Sequence, residues 1–256
     1  MRRRAAFTAL ACCLGFALTS QSLPAAPASP KEIAAALSDP SRPDEDRKSD
    51  ALRKPAELIA FSGIGPGSRI SELIPGQGYF TRIFSKVVGS KGMVYTLVPP
   101  RPPNAPEQFP DFAAPINAII ASPGYSNIQI VMMSGTAPAV SPVDVVFTSR
   151  NYHDVHNQPN ANLASFNKRV FDVLKPGGLY IVIDHAAEPG SGARDTQTLH
   201  RIDPALVRSE VEAAGFKFVA ESDVLRNPKD PHNVAVFDPS VRGRTDQFVY
   251  KFQKPR

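Results

Sequence analysis

The chain is 256 residues long, 42% hydrophobic and 21% charged, with a formal net charge of +5, 26 prolines and 2 cysteines. That balance belongs to an ordinary globular chain, of a length that suits one larger α/β domain. It excludes a disordered chain, a collagen, a coiled coil and a disulfide-built miniprotein.

The N-terminus reads as an address. Met1-Arg2-Arg3-Arg4 is basic, Ala5 to Leu18 is an apolar run too short to span a bilayer, and Ala26-Pro27-Ala28 offers a small-residue cleavage site. Residues 1–28 are therefore expected to be a bacterial signal peptide, and the mature protein periplasmic or secreted, with no stable membrane insertion after cleavage. Removing them takes three of the 29 basic residues and none of the 24 acidic ones, so net charge falls from +5 to +2. No Lys/Arg run remains that would favour a nucleic acid as partner. Both cysteines, Cys12 and Cys13, leave with the leader, and thiol chemistry leaves with them.

Residues 29–43, rich in Pro, Ala and Ser, read as a flexible tether with at most a short helix from Lys31 to Leu37, and residues 44–256 as a single domain. Asp44 to Phe61 is helical, with Pro55 starting a new segment and Asp46, Arg47, Asp50, Arg53 and Lys54 forming a solvated, ion-paired face. Arg69–Leu73 is a strand. Tyr79–Val88 is a helix whose Phe80, Ile83, Phe84, Val87 and Val88 make one apolar stripe. Met93–Val98 is the second strand. Pro99, Pro100, Pro102, Pro103, Pro106, Pro110 and Pro115 follow in a segment expected to be an irregular, stiff loop. Ile128–Met132 and Val143–Thr148 are strands three and four. A helix over Asn160–Leu174 is stopped by Lys175-Pro176-Gly177-Gly178, and Leu179–Ile183 is strand five. Asp203-Pro204 caps and starts a helix that ends at Gly215. Phe216–Ala220 and Gln247–Phe252 close the chain, joined by a long polar stretch. Alternating strands and helices predict a Rossmann-like, mostly parallel seven-stranded sheet covered on both faces, with the last strand antiparallel.

Two places invite chemistry. In the first, Ile70 to Thr81, a strand ends at Glu72 and a turn with Gly76 and Gly78 opens a helix at Tyr79. Glycines there let a ligand approach backbone N–H groups at a helix N-terminus. In the second, Ser149 to His156, Tyr152, His153 and Asp154 follow the fourth strand and Asp184-His185 ends the fifth. Both lie at carboxyl ends of parallel strands, where ligands of open α/β sheets sit. His153 is a candidate general base with carboxylates nearby. His153, Asp154, His156 and His185 also have the chemistry of metal ligands, but no metal-binding motif supports them, and no metal is assigned.

Glu72, Gly76 and Gly78 resemble the acid–x–G–x–G–x–G motif of class I S-adenosylmethionine-dependent methyltransferases. Leu174 to Gly178 resembles a later motif of that superfamily, and the closing GFKFVAES…QFVYKFQK resembles its last two strands. The Asp46–Glu57 pattern, the PGQGYFT turn and Asn151-Tyr152-His153-Asp154 are similar to a bacterial family of exported predicted methyltransferases. The resemblance implies S-adenosylmethionine as cofactor, held at Glu72, Pro75, Gly76, Gly78 and Tyr79. It implies methyl transfer to an unidentified small molecule, with His153 as base, Tyr152 shaping the pocket and Asp154 orienting. The chain departs from the pattern at Ile74, which replaces the first glycine, at Thr96-Leu97-Val98, where a ribose-binding acid is expected, and at Met132-Met133-Ser134, where an adenine-binding Asp is expected. Those departures, with the leader, keep open a non-catalytic periplasmic binding protein on the same scaffold and, behind it, a metal-dependent hydrolase.

Overall fold

The structure, a computed structural model, describes residues 26–102, 104–133, 140 and 142–256. The basic and apolar parts of the expected leader, and Ser134, lie outside the described residues. The strands are β1 Arg69–Leu73, β2 Met93–Val98, β3 Ile128–Met132, β4 Val143–Ser149, β5 Leu174–His185, β6 Lys217–Glu221 and β7 Gln247–Gln253. The helices are α1 Pro30–Leu37, α2 Asp44–Arg53, α3 Pro55–Ser62, α4 Tyr79–Val88, α5 Ala114–Ile120, α6 Tyr152–His156, α7 Leu163–Val173 and α8 Pro204–Ala213.

Residue chemistry explains most boundaries. Asn162 accepts from Ser165 N at 2.8 Å to start α7, and Asp203 accepts from Ala205 N at 2.9 Å, ahead of Pro204, to start α8. The seven strands form one sheet in the order β3-β2-β1-β4-β5-β7-β6, with β7 antiparallel to both neighbours and β1 to β5 parallel. Alternate residues serve two cores. Ile70, Val94, Val145 and Ile181 face α1, α3, α4 and α5, while Leu73, Leu97, Val146 and Val182 face α6, α7 and α8. The strand order reverses between β1 and β4, so the crevice beyond their carboxyl ends is the switch point of the fold.

Four sequence readings change. Residues 29–43 are not a tether: Ser29 and Glu32 cap α1 reciprocally, and Ile33 and Ala36 enter the core. Arg42 is buried with both guanidinium nitrogens on Asp50, at 2.7 and 2.9 Å. The proline-rich segment contains α5, because Pro115 falls in the first turn, where its missing N–H costs nothing. Lys175 to Gly178 does not separate helix from strand but forms the start of a longer β5. The inner side of α2 is not solvated: besides the Arg42–Asp50 pair, Asp46 pairs with Arg82 at 3.2 Å.

Candidate active site at the switch point of the sheet

β1 and β4 both leave the sheet through a non-glycine residue in the left-handed region, Ile74 at φ 51° and Arg150 at φ 62°. Their divergence opens the crevice. One side chain ties the two exits together: Asn151 Nδ2 donates to Ser149 O at 2.8 Å and Ile74 O at 3.1 Å. The turn from Pro75 to Gly78 closes with Gly78 N donating to Pro75 O at 3.0 Å. Gly76 faces open space, whereas a Cβ on Gly78 would come within 2.2 Å of Ile119. Gly76 thus leaves room for a ligand, and Gly78 holds the left-handed backbone, φ 77°, that opens α4.

Beside the first turn of α4 lies a cavity of about 160 Å³, whose wall includes Ser49, Arg53, Phe80, Ser149, Arg150 and Gln247. Its two arginines are half-buried, and neither has an ion-pair partner among the described residues. The Arg53 guanidinium lies 3.9 Å from the ring centre of Tyr79 and 4.9 Å from that of Phe80, with its Nε unpartnered. Burial, and then repulsion from Arg150, lower the Arg53 pKa to about 9. Burial likewise lowers that of Arg150. Two desolvated cations around one cavity suit an anion such as a carboxylate or a phosphate.

Glu72 is buried beneath α4 and accepts from Thr81 Oγ1 at 2.6 Å. Burial raises its pKa to about 8, against the opposing pull of Thr81 and Arg53. It is absent from the cavity wall. Tyr79 is buried as well; its hydroxyl donates to Asp50 at 2.6 Å and its ring carries Arg53.

On the other side of Arg150 the histidines gather. Asp184 is fully buried at the end of β5 and accepts from the His153 backbone N and from His153 Nδ1, each at 2.8 Å. A carboxylate only accepts, so Nδ1 carries the proton and Nε2 is turned to Asp154. Burial works against the charged imidazole, but Asp184 outweighs it and raises the His153 pKa, while His153 helps hold that of Asp184 down. His153 Nε2 is 3.3 Å from Asp154 Oδ1, and His200 Nδ1 is 3.9 Å from the same oxygen.

The remaining expected residues fall elsewhere. Tyr152 is no pocket wall: its ring is buried against Phe166 and its hydroxyl donates to Glu210 at 2.9 Å. His156 also turns to Glu210, at 3.2 Å, and His185 to Thr245, at 2.7 Å. Burial lowers the His185 pKa to about 3, keeping that ring neutral. Arg53, Arg150, Asn151 and His200 are the site residues that the sequence did not single out. Arg53 was read as part of the solvated face from Asp46 to Lys54, and His200 lay in a stretch without pattern.

No family model matches the chain, and no curated protein matches it. Solved structures do. A SAM-dependent methyltransferase from Aquifex aeolicus superposes with a TM-score of 0.56 at 19% identity, over 88% of this chain and 98% of that one. An arsenic(III) S-adenosylmethionine methyltransferase from Chlamydomonas reinhardtii gives 0.52 at 16%, over 90% and 75%. The glycopeptide N-methyltransferase MtfA, solved with sinefungin, gives 0.53 at 16%, over 81% and 87%. The chain therefore has the Rossmann-like fold of class I methyltransferases.

Proposed function

We propose that the chain is an S-adenosylmethionine-dependent methyltransferase acting on a small molecule. The observation that carries this reading is the switch-point crevice, where the Ile74–Gly78 turn opens α4 beside a cavity flanked by two arginines with no ion pair among the described residues. The cavity's donors fit the amino-acid end of the cofactor, Arg53 and Arg150 offering guanidiniums to its carboxylate, while Pro75, Gly76, Gly78 and Tyr79 lie outside the cavity wall and Gly76 leaves the turn's backbone open. The nucleoside end lacks its usual acid. Val98 is followed by prolines, Glu107 is exposed, and Asp111 is exposed and engaged with Ala113 N at 2.9 Å. When bound, the cofactor supplies an electrophilic methyl on a sulfonium centre.

The chain's own residues would hold and align the reactants, which is most of the work in such a reaction. Asp184 fixes the His153 ring so that Nε2 can take the acceptor's proton. Calorimetric titration of the untagged protein with adenosylhomocysteine and with methylthioadenosine, which lacks the carboxylate, tests the assignment. Adenosylhomocysteine is expected to bind, and Arg53→Ala to weaken it about tenfold or more, as loss of a charge-assisted hydrogen bond does. Equal affinity for the two ligands would remove the arginines from the cofactor site.

The missing nucleoside acid supports a second reading, a binding protein on the same scaffold; cofactor binding without methyl transfer to any acceptor would favour it. The leader motif supports export to the periplasm or beyond. Of that leader, Ala28 N donates to Ile64 O at 2.9 Å. N-terminal sequencing of exported protein should begin at Ser29, and an intact Met1 in the cytoplasmic fraction alone would argue against export.

A further inference from the structure

We propose that His153, Asp154 and His200 form a binding site for a divalent first-row transition metal, a two-histidine, one-carboxylate set of the kind that suits Zn²⁺ or Fe²⁺. The three side chains come from α6 and from the β5–α8 connection, far apart in sequence, yet one ligand atom from each lies within 4.8 Å of the other two. Ligands about 2.0–2.1 Å from one ion stand roughly 3–3.5 Å apart. The His153–Asp154 separation of 3.3 Å already meets that spacing, and the His200–Asp154 separation of 3.9 Å needs only a small closure.

The surroundings hold the ligands as metal sites require. Asp184, fully buried, accepts the hydrogen bond of His153 Nδ1–H and leaves the Nε2 lone pair for a metal ion. This is the carboxylate–histidine support common behind metal-bound imidazoles. Asp184 is itself fixed by the backbone N–H groups of His153 and His185, both at 2.8 Å. His200 adopts φ 55°, and its ring packs edge-on against His153 and Phe237, with centroids at 5.4 and 5.0 Å. Its ring nitrogens make no hydrogen bond among the described residues. The next residue, Arg201, is anchored in a buried pair with Asp230 at 2.8 Å. The other histidines are engaged elsewhere, His156 with Glu210, His185 with Thr245 and His232 with Asp246.

Openness matches a working site rather than a structural one. The His153 side chain is 4% exposed, but those of His200 and Asp154 are 34% and 40% exposed, so coordination positions remain for water or a substrate oxygen. The inference rests on side-chain placement and not on methyl transfer. It deepens that reading only at His153, because a cation on Nε2 would acidify a coordinated hydroxyl, whose proton would pass to bulk water through the open side of the site.

Titrating the untagged, chelator-treated protein with Co²⁺, read by visible absorption and elemental analysis, tests it. The expected result is stoichiometric uptake with a d–d band, displaced by Zn²⁺. His200→Ala and Asp154→Asn should each lower affinity, and Asp184→Asn should lower it about 10–100-fold, as loss of an outer-shell partner does. His156→Ala should leave uptake unchanged. Substoichiometric uptake by the unsubstituted protein overturns the site, as does uptake that survives loss of both His200 and Asp154. Adenosylhomocysteine titration of the same metal-free sample reports separately on the methyltransferase reading.

Discussion

Ile74 stands in the left-handed region at φ 51°, where a β-branched side chain costs about 1–2 kcal/mol. Asn151 offsets the strain by holding Ile74 O, Leu73 O and Ser149 O together. Asn151→Ala should therefore lower unfolding stability by about 1–3 kcal/mol in a denaturant titration with unchanged slope. No loss would mean that the exit holds itself. Glu72 makes the second residue-scale case. Its pKa is about 8 in the fold and 4.5 when free, so between those values the folded chain holds a proton that the unfolded chain has lost. Stability contributed by the neutral carboxyl is then full below about pH 4.5 and declines as pH rises towards 8. Glu72→Gln should flatten that decline, measured as the difference in unfolding free energy between pH 5 and pH 8. An identical decline in the variant would show that Glu72 is ionised already.

At the scale of elements, α1 changes what the domain is. Ile33 is 5% exposed within the core that also holds α3 and α4. Ile33→Ala should cost about 2–4 kcal/mol, where a tethered helix would lose almost nothing. β1, β2, β3 and α4 were legible to the residue, because apolar runs of the right period were bounded by glycines and prolines. The short helix over Lys31–Leu37 was legible but its burial in the core was not, and α5 was missed because Pro115 lies in a proline-rich stretch, although proline is tolerated in a first turn and forbidden only further along. α6 was missed because five residues are too few to display a helical period.

At the scale of the molecule, pairing between distant strands builds the histidine side of the site. The β4–β5 register sets Ser149 against Ile183, so the residues just beyond, Arg150 to His153 and Asp184, meet at one end of the sheet. The sequence displayed both polar pairs but not their register, so the His153–Asp184 bond could not be read from it. Arg53 and Arg150 were hidden differently. An arginine in a charged helix reads as solvated until the fold shows it turned inward onto the Tyr79 and Phe80 rings. The polar connections that complete the site are locked by Arg201, buried with Asp230 and also donating to Ala186 O at 3.0 Å and Val234 O at 2.9 Å. Asp230→Ala should cost about 3–5 kcal/mol, because it strands a buried guanidinium. A loss below about 1 kcal/mol, the range of surface pairs, would mean that the pair is solvated.

The central claim, that the crevice beyond β1 and β4 is the cofactor site, is tested most directly by amide hydrogen exchange with and without saturating adenosylhomocysteine. The account expects added protection across Ile74–Arg82 and around Arg53 and Arg150. Unchanged exchange across those segments, or protection confined to other parts of the chain, would contradict it.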